Sequence, residues 1–172
     1  MSVEFSELNP GDHDTLVDFL CANEWPFHAR RQLTSNDVAA MEFSTPDVAT
    51  FWIASDAERV GLVRVLDLGD IGEGAPLLDV RIAGGHRRRG FGKLATRWVV
   101  DHLFDTHPTL HRIEANTRHD NVAMQRVLSD AGFTCEGRLR EAWSGDGGPR
   151  FDTLIYGILR ADWAAAARNP TN

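Results

Sequence analysis

The run Gly84-Gly85-His86-Arg87-Arg88-Arg89-Gly90-Phe91-Gly92-Lys93 holds four glycines and four permanent cations in ten residues. Glycine removes the side chain that blocks close backbone approach and permits left-handed dihedrals. Arginine gives charge-assisted hydrogen bonds to phosphate oxygens. Beyond the run, Phe91, Leu94, Ala95, Trp98, Val99 and Leu103 recur at helical spacing. The run therefore ends on a helix N-terminus, where free N–H groups and the positive end of the dipole favour an anion. Upstream, Leu78, Val80 and Ile82 alternate with Leu77, Asp79 and Arg81, the period of a strand. Strand, basic glycine turn and helix make a pyrophosphate the anion that fits best.

Three anion-binding patterns can be laid on this stretch. A Walker A loop would need glycine where Arg87 stands and Ser or Thr where Leu94 stands. The dinucleotide pattern is met by Gly90, Gly92 and Ala95, but seven residues, 83–89, separate the strand from the first glycine, and the unit lies mid-chain. The third, [QR]-x-x-G-x-[GA], is met by Arg87, Gly90 and Gly92. It resembles the acyl-CoA-binding motif of the GNAT superfamily of N-acetyltransferases. The plain alternative is a solvated basic turn that caps an amphipathic helix.

The elements that must position this stretch follow from periodicity and turn signals. Strands are expected at 3–8, 50–55, 60–66, 77–82, 111–117, 133–143 and 151–159, and helices at 13–22, 34–43, 91–103, 122–130 and 162–168. Pro26 breaks the chain after the first helix, leaving Trp25, Phe27 and His28 either to wall an acceptor pocket or to staple the helices to the sheet. Gly132 ends the fourth helix. The fold class is α/β, an α+β mixed sheet with helices on both faces. The order β-α-α-β-β-β-α-β-α-β-β resembles that of the GNAT fold over nearly the whole chain, as one domain over 1–168 with a loose tail at 169–172. Arg112-Ile-Glu-Ala-Asn-Thr117, Asn121, Gly132-Phe133, Glu136 to Arg140, Asp152 and Tyr156 are most similar to the RimJ/RimL-type branch, whose members acetylate protein α-amines or small amines.

The resemblance implies direct transfer of acetyl from acetyl-CoA, the co-substrate, to a primary amine, which must lose its proton to attack. Cofactor contacts are implied at Val80 and Ile82 for pantetheine, at Arg87, Arg88, Arg89, Gly90, Phe91, Gly92 and Lys93 for the pyrophosphate, and at Asn121, which can equally be a plain helix cap. Met124 stands where the branch often has Ser. Leu128 stands where many members place a Tyr aimed at the CoA sulfur, and a core role is expected for the single tyrosine, Tyr156. Candidate catalytic carboxylates are Asp79, ranked first for its place on the fourth strand, then Glu73 and Glu136, with Glu141 also near; each is as readily a solvated surface group.

Composition bounds the rest. The 172-residue chain is 42% hydrophobic and 25% charged, ordinary for one globular domain. Its net charge of −7 argues against nucleic acid as the main ligand. Cys21 and Cys135 stand far apart, with no metal or redox spacing, and reduced thiols in a cytoplasmic protein are expected. No signal-like N-terminus or membrane-length apolar run is visible. The histidines lack metal-ligand spacing, so no metal is expected. A small-molecule amine or a peptide N-terminus is the expected partner, with homodimer pairing through a sheet edge. Two readings from other classes stay open: a GNAT-fold module that binds acyl-CoA without turnover, and a nucleotide-binding protein.

Overall fold

In the computed structural model, residues 2–145 and 147–168 are described, and the expected tail at 169–172 lies outside them. Seven strands form one sheet: β1 (Val3–Glu7), β2 (Ala49–Ser55), β3 (Glu58–Leu66), β4 (Leu77–Ile82), β5 (Arg112–Arg118), β6 (Thr134–Trp143) and β7 (Phe151–Leu159). Their spatial order is β1-β2-β3-β4-β5-β7-β6. Neighbours are antiparallel except for β4 and β5, which are parallel.

Five helices cover the sheet: α1 (His13–Ala22), α2 (Ser35–Ala39), α3 (Phe91–Thr106), α4 (Val122–Asp130) and α5 (Arg160–Arg168). Period-two alternation decides which core each strand residue joins. Phe51, Ile53, Val63 and Val65 face the core built on α3, with Ala95, Val99 and Leu103. Trp52 and Leu62 face the other core, with Leu16, Leu20 and Val38 of α1 and α2. On β4, Leu78 is buried in the α3 core, and Val80 and Ile82 pack against it.

Three helices depart from their expected limits. α2 is five residues rather than ten. Thr34 caps it, its hydroxyl accepting from the Asp37 N–H. After Ala39 the Glu42 carbonyl is taken at 2.6 Å by the buried Arg64 guanidinium, while Met41 and Phe43 pack on the second core. A tertiary hydrogen bond thus replaces the next helical turn. α3 runs three residues further than expected, because buried Phe104 continues its apolar stripe. α5 starts two residues early, at Arg160, whose guanidinium donates to the Leu110, Phe104 and His107 carbonyls.

The feature that positions the site is the short seam between β4 and β5. Only Leu77↔Glu114 and Leu78↔Ala115 pair across it. β5 keeps all seven residues paired with β7, while β4 stays paired with β3 through Ile82. The two parallel strands therefore part after Leu78, and the sheet opens there.

Candidate functional site: an anion groove and an apolar cavity at the strand split

The glycine turn leads from β4 into the N-terminus of α3. A 3-10 turn, Gly84–His86, leads out of β4. Arg88 (φ 62°) and Gly90 (φ 88°) then reverse the chain in left-handed conformations. For Arg88 that conformation is strained; for Gly90 it is natural. Gly90 is the N-cap of α3 and has no side chain to cap it. Leu94 is the first residue to close an intrahelical bond, to the Gly90 carbonyl at 3.1 Å. The N–H groups of Phe91, Gly92 and Lys93 are left without helical acceptors. A Cβ at Gly92 would sit 3.8 Å from Val127 and 3.9 Å from Ile82, ordinary contact distances.

The four cations of the turn take different parts. Arg87 borders the groove, but its guanidinium turns inward, donating from Nε to the Ile82 carbonyl at 3.0 Å and from its terminal nitrogen to the Glu24 carbonyl. Burial pushes its pKa down. It ties the segment after α1 to the end of β4. Arg89 does not border the groove; it lies over the Phe91 ring and 3.1 Å from His86 Nδ1. Arg88 and Lys93 do border it, although Lys93 is also paired with Asp130 at 2.7 Å. Phe91 is 1% exposed and belongs to the core, so its N–H, not its ring, is the group offered to a ligand.

Two cavities open at the strand split. One, of about 350 Å³, lies between the end of β4, residues 86–93 and α4. Val80, Ile82, Gly90, Gly92 and Asn121 line it. The other, of about 530 Å³, is bounded by residues 27–41, β4, the end of β5 and Trp143. Phe27, His28, Val80, Arg81, Asn121 and Met124 line both. The aromatic segment after α1 divides: Trp25 is buried in the α1/α2 core, and Phe27 and His28 line both cavities.

Asp79 lies at this junction, and both of its oxygens are paired. Its Oδ1 meets His28 Nε2 at 2.9 Å. Its Oδ2 accepts from Arg64 at 3.3 Å and Arg81 at 3.2 Å. Burial alone would raise its pKa, but Arg81, His28 and Arg64 together hold the carboxyl far below the usual carboxylate range. Glu73 and Glu136 line neither cavity. Glu136 is gripped by Arg112 at 2.8 and 2.5 Å, a fork that holds its pKa down. Glu141 also lies off both cavities; its N–H donates to Asp152 at 2.8 Å.

Asn121 is an N-cap: its Oδ1 accepts from the Met124 N–H at 3.3 Å, and its Nδ2 donates to Thr117 Oγ1 at 3.1 Å. Leu128 is fully buried, and Tyr156 is 4% exposed in the same core. Burial raises the Tyr156 phenol pKa. Sequence reasoning missed Arg81 and Trp143. Arg81 had a signal, since it sits two residues from Asp79 on the same face of a strand. Trp143 had none, because a hairpin brings it back across the sheet. Among the described residues no cluster of three His, Cys, Asp or Glu side chains could hold a metal.

A profile of the acetyltransferase (GNAT) domain matches residues 3–134. The chain belongs to the GNAT acetyltransferase family. No curated protein sequence matches it. Among solved structures, a chimera of the Vibrio cholerae spermidine N-acetyltransferase and hSSAT superposes with a TM-score of 0.80 at 18% identity, covering 95% of this chain and 99% of the other. The Vibrio cholerae spermidine N-acetyltransferase in complex with CoA and spermine gives 0.76 at 18% identity over 94% and 98%. A GNAT-family acetyltransferase from Streptococcus pneumoniae gives 0.72 at 18% identity over 92% and 99%. At these identities the likeness is one of fold, and it bears out the mixed sheet expected from the order of elements.

Proposed function

We propose that this GNAT protein transfers the acetyl group of acetyl-CoA to a primary amine by direct attack of the neutral amine on the thioester. The observation that carries this reading is the junction at the strand split, where the groove at the glycine turn and the larger cavity share six wall residues. The uncapped N–H groups of α3, with Arg88 and Lys93, suit the pyrophosphate. Past Leu78 the β5-facing edge of β4 has no strand partner, and its backbone groups suit an extended pantetheine, as an edge strand suits an added one. The CoA complex of the Vibrio cholerae fold neighbour supports this choice of co-substrate. Asn121, Gly132-Phe133 and the following strand residues support a place near the RimJ/RimL-type branch.

His28 is the proton acceptor in this reading. Its ring borders both cavities, Asp79 holds Nε2, and Nδ1 is buried without a hydrogen-bond partner. Asp79 is then a positioning residue that fixes the ring, as carboxylates do for catalytic histidines. No side-chain acid is assigned to the departing thiolate; Leu128 is in the core, and water serves. Two free cysteines suit a reducing, cytoplasmic setting, and the exposed edge strand β6 is where a homodimer would pair.

The test is thiol release from acetyl-CoA with a panel of primary amines. The expected result is amine-dependent release whose kcat falls about a hundredfold in His28→Ala, with acetyl-CoA affinity unchanged. No amine-dependent release from folded protein would overturn the transferase; an undiminished kcat in His28→Ala would overturn only the base.

A further inference from the structure

The larger cavity has donors to spare and no free carboxylate. Four charged side chains line it: Arg30, Asp37, Asp79 and Arg81. Asp37 is satisfied at both oxygens, by Arg30 at 2.6 Å and by the Thr34 N–H and hydroxyl at 2.9 and 2.7 Å. Asp79 is likewise occupied at both, by His28, Arg64 and Arg81. Arg64, behind the wall, faces both Asp79 and Glu42. The Arg81 side chain is 8% exposed, and its NH1 has no acceptor. Trp143 Nε1, on the same cavity, has none either. Buried donors without partners mark a place where a ligand supplies acceptors. The remaining wall is apolar: Phe27, Leu33, Met41, Leu66 and Leu77.

We infer that the acceptor is an α-amino acid with a large apolar side chain, its carboxylate received by Arg81 and Trp143 and its side chain by the apolar wall. The inference rests on the transferase reading and names its substrate class. His28 and Arg81 both stand at the junction of the two cavities, so the amine and the anion it carries must be close together, as on one α-carbon. A polyamine would bring several cations to a cavity whose carboxylates are all paired. A peptide N-terminus would present an uncharged amide where Arg81 calls for an anion.

The experiment has a binding arm and a turnover arm on the full chain. Phenylalanine, phenylalaninamide and spermidine are each titrated calorimetrically into protein saturated with CoA, and each is assayed with acetyl-CoA. Phenylalanine is expected to bind at least about tenfold more tightly than its amide, the scale of one charge-assisted hydrogen bond, and spermidine more weakly still. Trp143→Phe, which keeps the ring but removes the donor, is expected to narrow the gap severalfold, and Arg81→Gln to abolish it. If Arg81→Gln does not fold, the matched ligands and Trp143→Phe decide the matter alone. Equal or tighter binding of the amide or of spermidine overturns the inference, and their turnover would leave the transferase standing. A carboxylate preference in binding with no turnover of any amine would keep the ligand class and overturn the transferase.

Discussion

At the scale of single residues, the site depends on one carboxylate that does little chemistry itself. Asp79 joins Arg64, Arg81 and His28 at a place with little water. Removing one partner from a buried ion cluster leaves the others uncompensated. Asp79→Asn is expected to lower unfolding stability at pH 7 by about 3–5 kcal/mol, measured by urea titration. The pH dependence follows from the direction of the shift. The folded-state pKa lies below the unfolded value of about 3.9, so the contribution is fully present above that value and is lost as pH falls through the folded pKa. The stability gap between wild type and variant should persist through neutral pH and close only in strong acid. A gap that closed near neutrality would mean that Asp79 is not held ionised as described.

At the scale of elements, the strands and helices were legible because their apolar residues repeat at two or 3.6 and their ends carry caps or glycines. β4 alternates as expected, and α3 begins at Phe91 as its spacing requires. α2 was overextended because nothing local reveals that Arg64, 22 residues from Glu42, takes a carbonyl the helix would need. Asn121 could be read as a cap or as a pantetheine ligand; the structure shows the cap. Asn121→Ala should therefore cost about 1 kcal/mol of stability, while Asn121→Asp, which also caps, should cost little. Chemical denaturation of the two variants checks this, and equal losses would argue against the cap.

At the scale of the whole molecule, the proposed site lies at a defect in the sheet. β4 and β5 share only two paired positions, and both cavities open where they part. The glycine turn announced the anion groove, since its residues are consecutive in the chain. The other cavity was not legible, because its walls come from residues 27–41, β4, β5 and Trp143, brought together only by the fold. The pairing of the carboxylates chosen from sequence was hidden for the same reason: their arginine partners, Arg64 for Asp79 and Arg112 for Glu136, approach across strands.

The central claim is that the N-terminus of α3 holds the pyrophosphate of acetyl-CoA, and calorimetric titration of acetyl-CoA into wild type and Gly92→Glu tests it most directly. Gly92 lies in the first turn of α3, where a carboxylate stabilises a helix, so the variant should fold while its charge occupies the anion site. Micromolar binding to wild type, lost by about a hundredfold or more in Gly92→Glu, is the predicted result. Unchanged binding in the variant, or none in folded wild type, would contradict it.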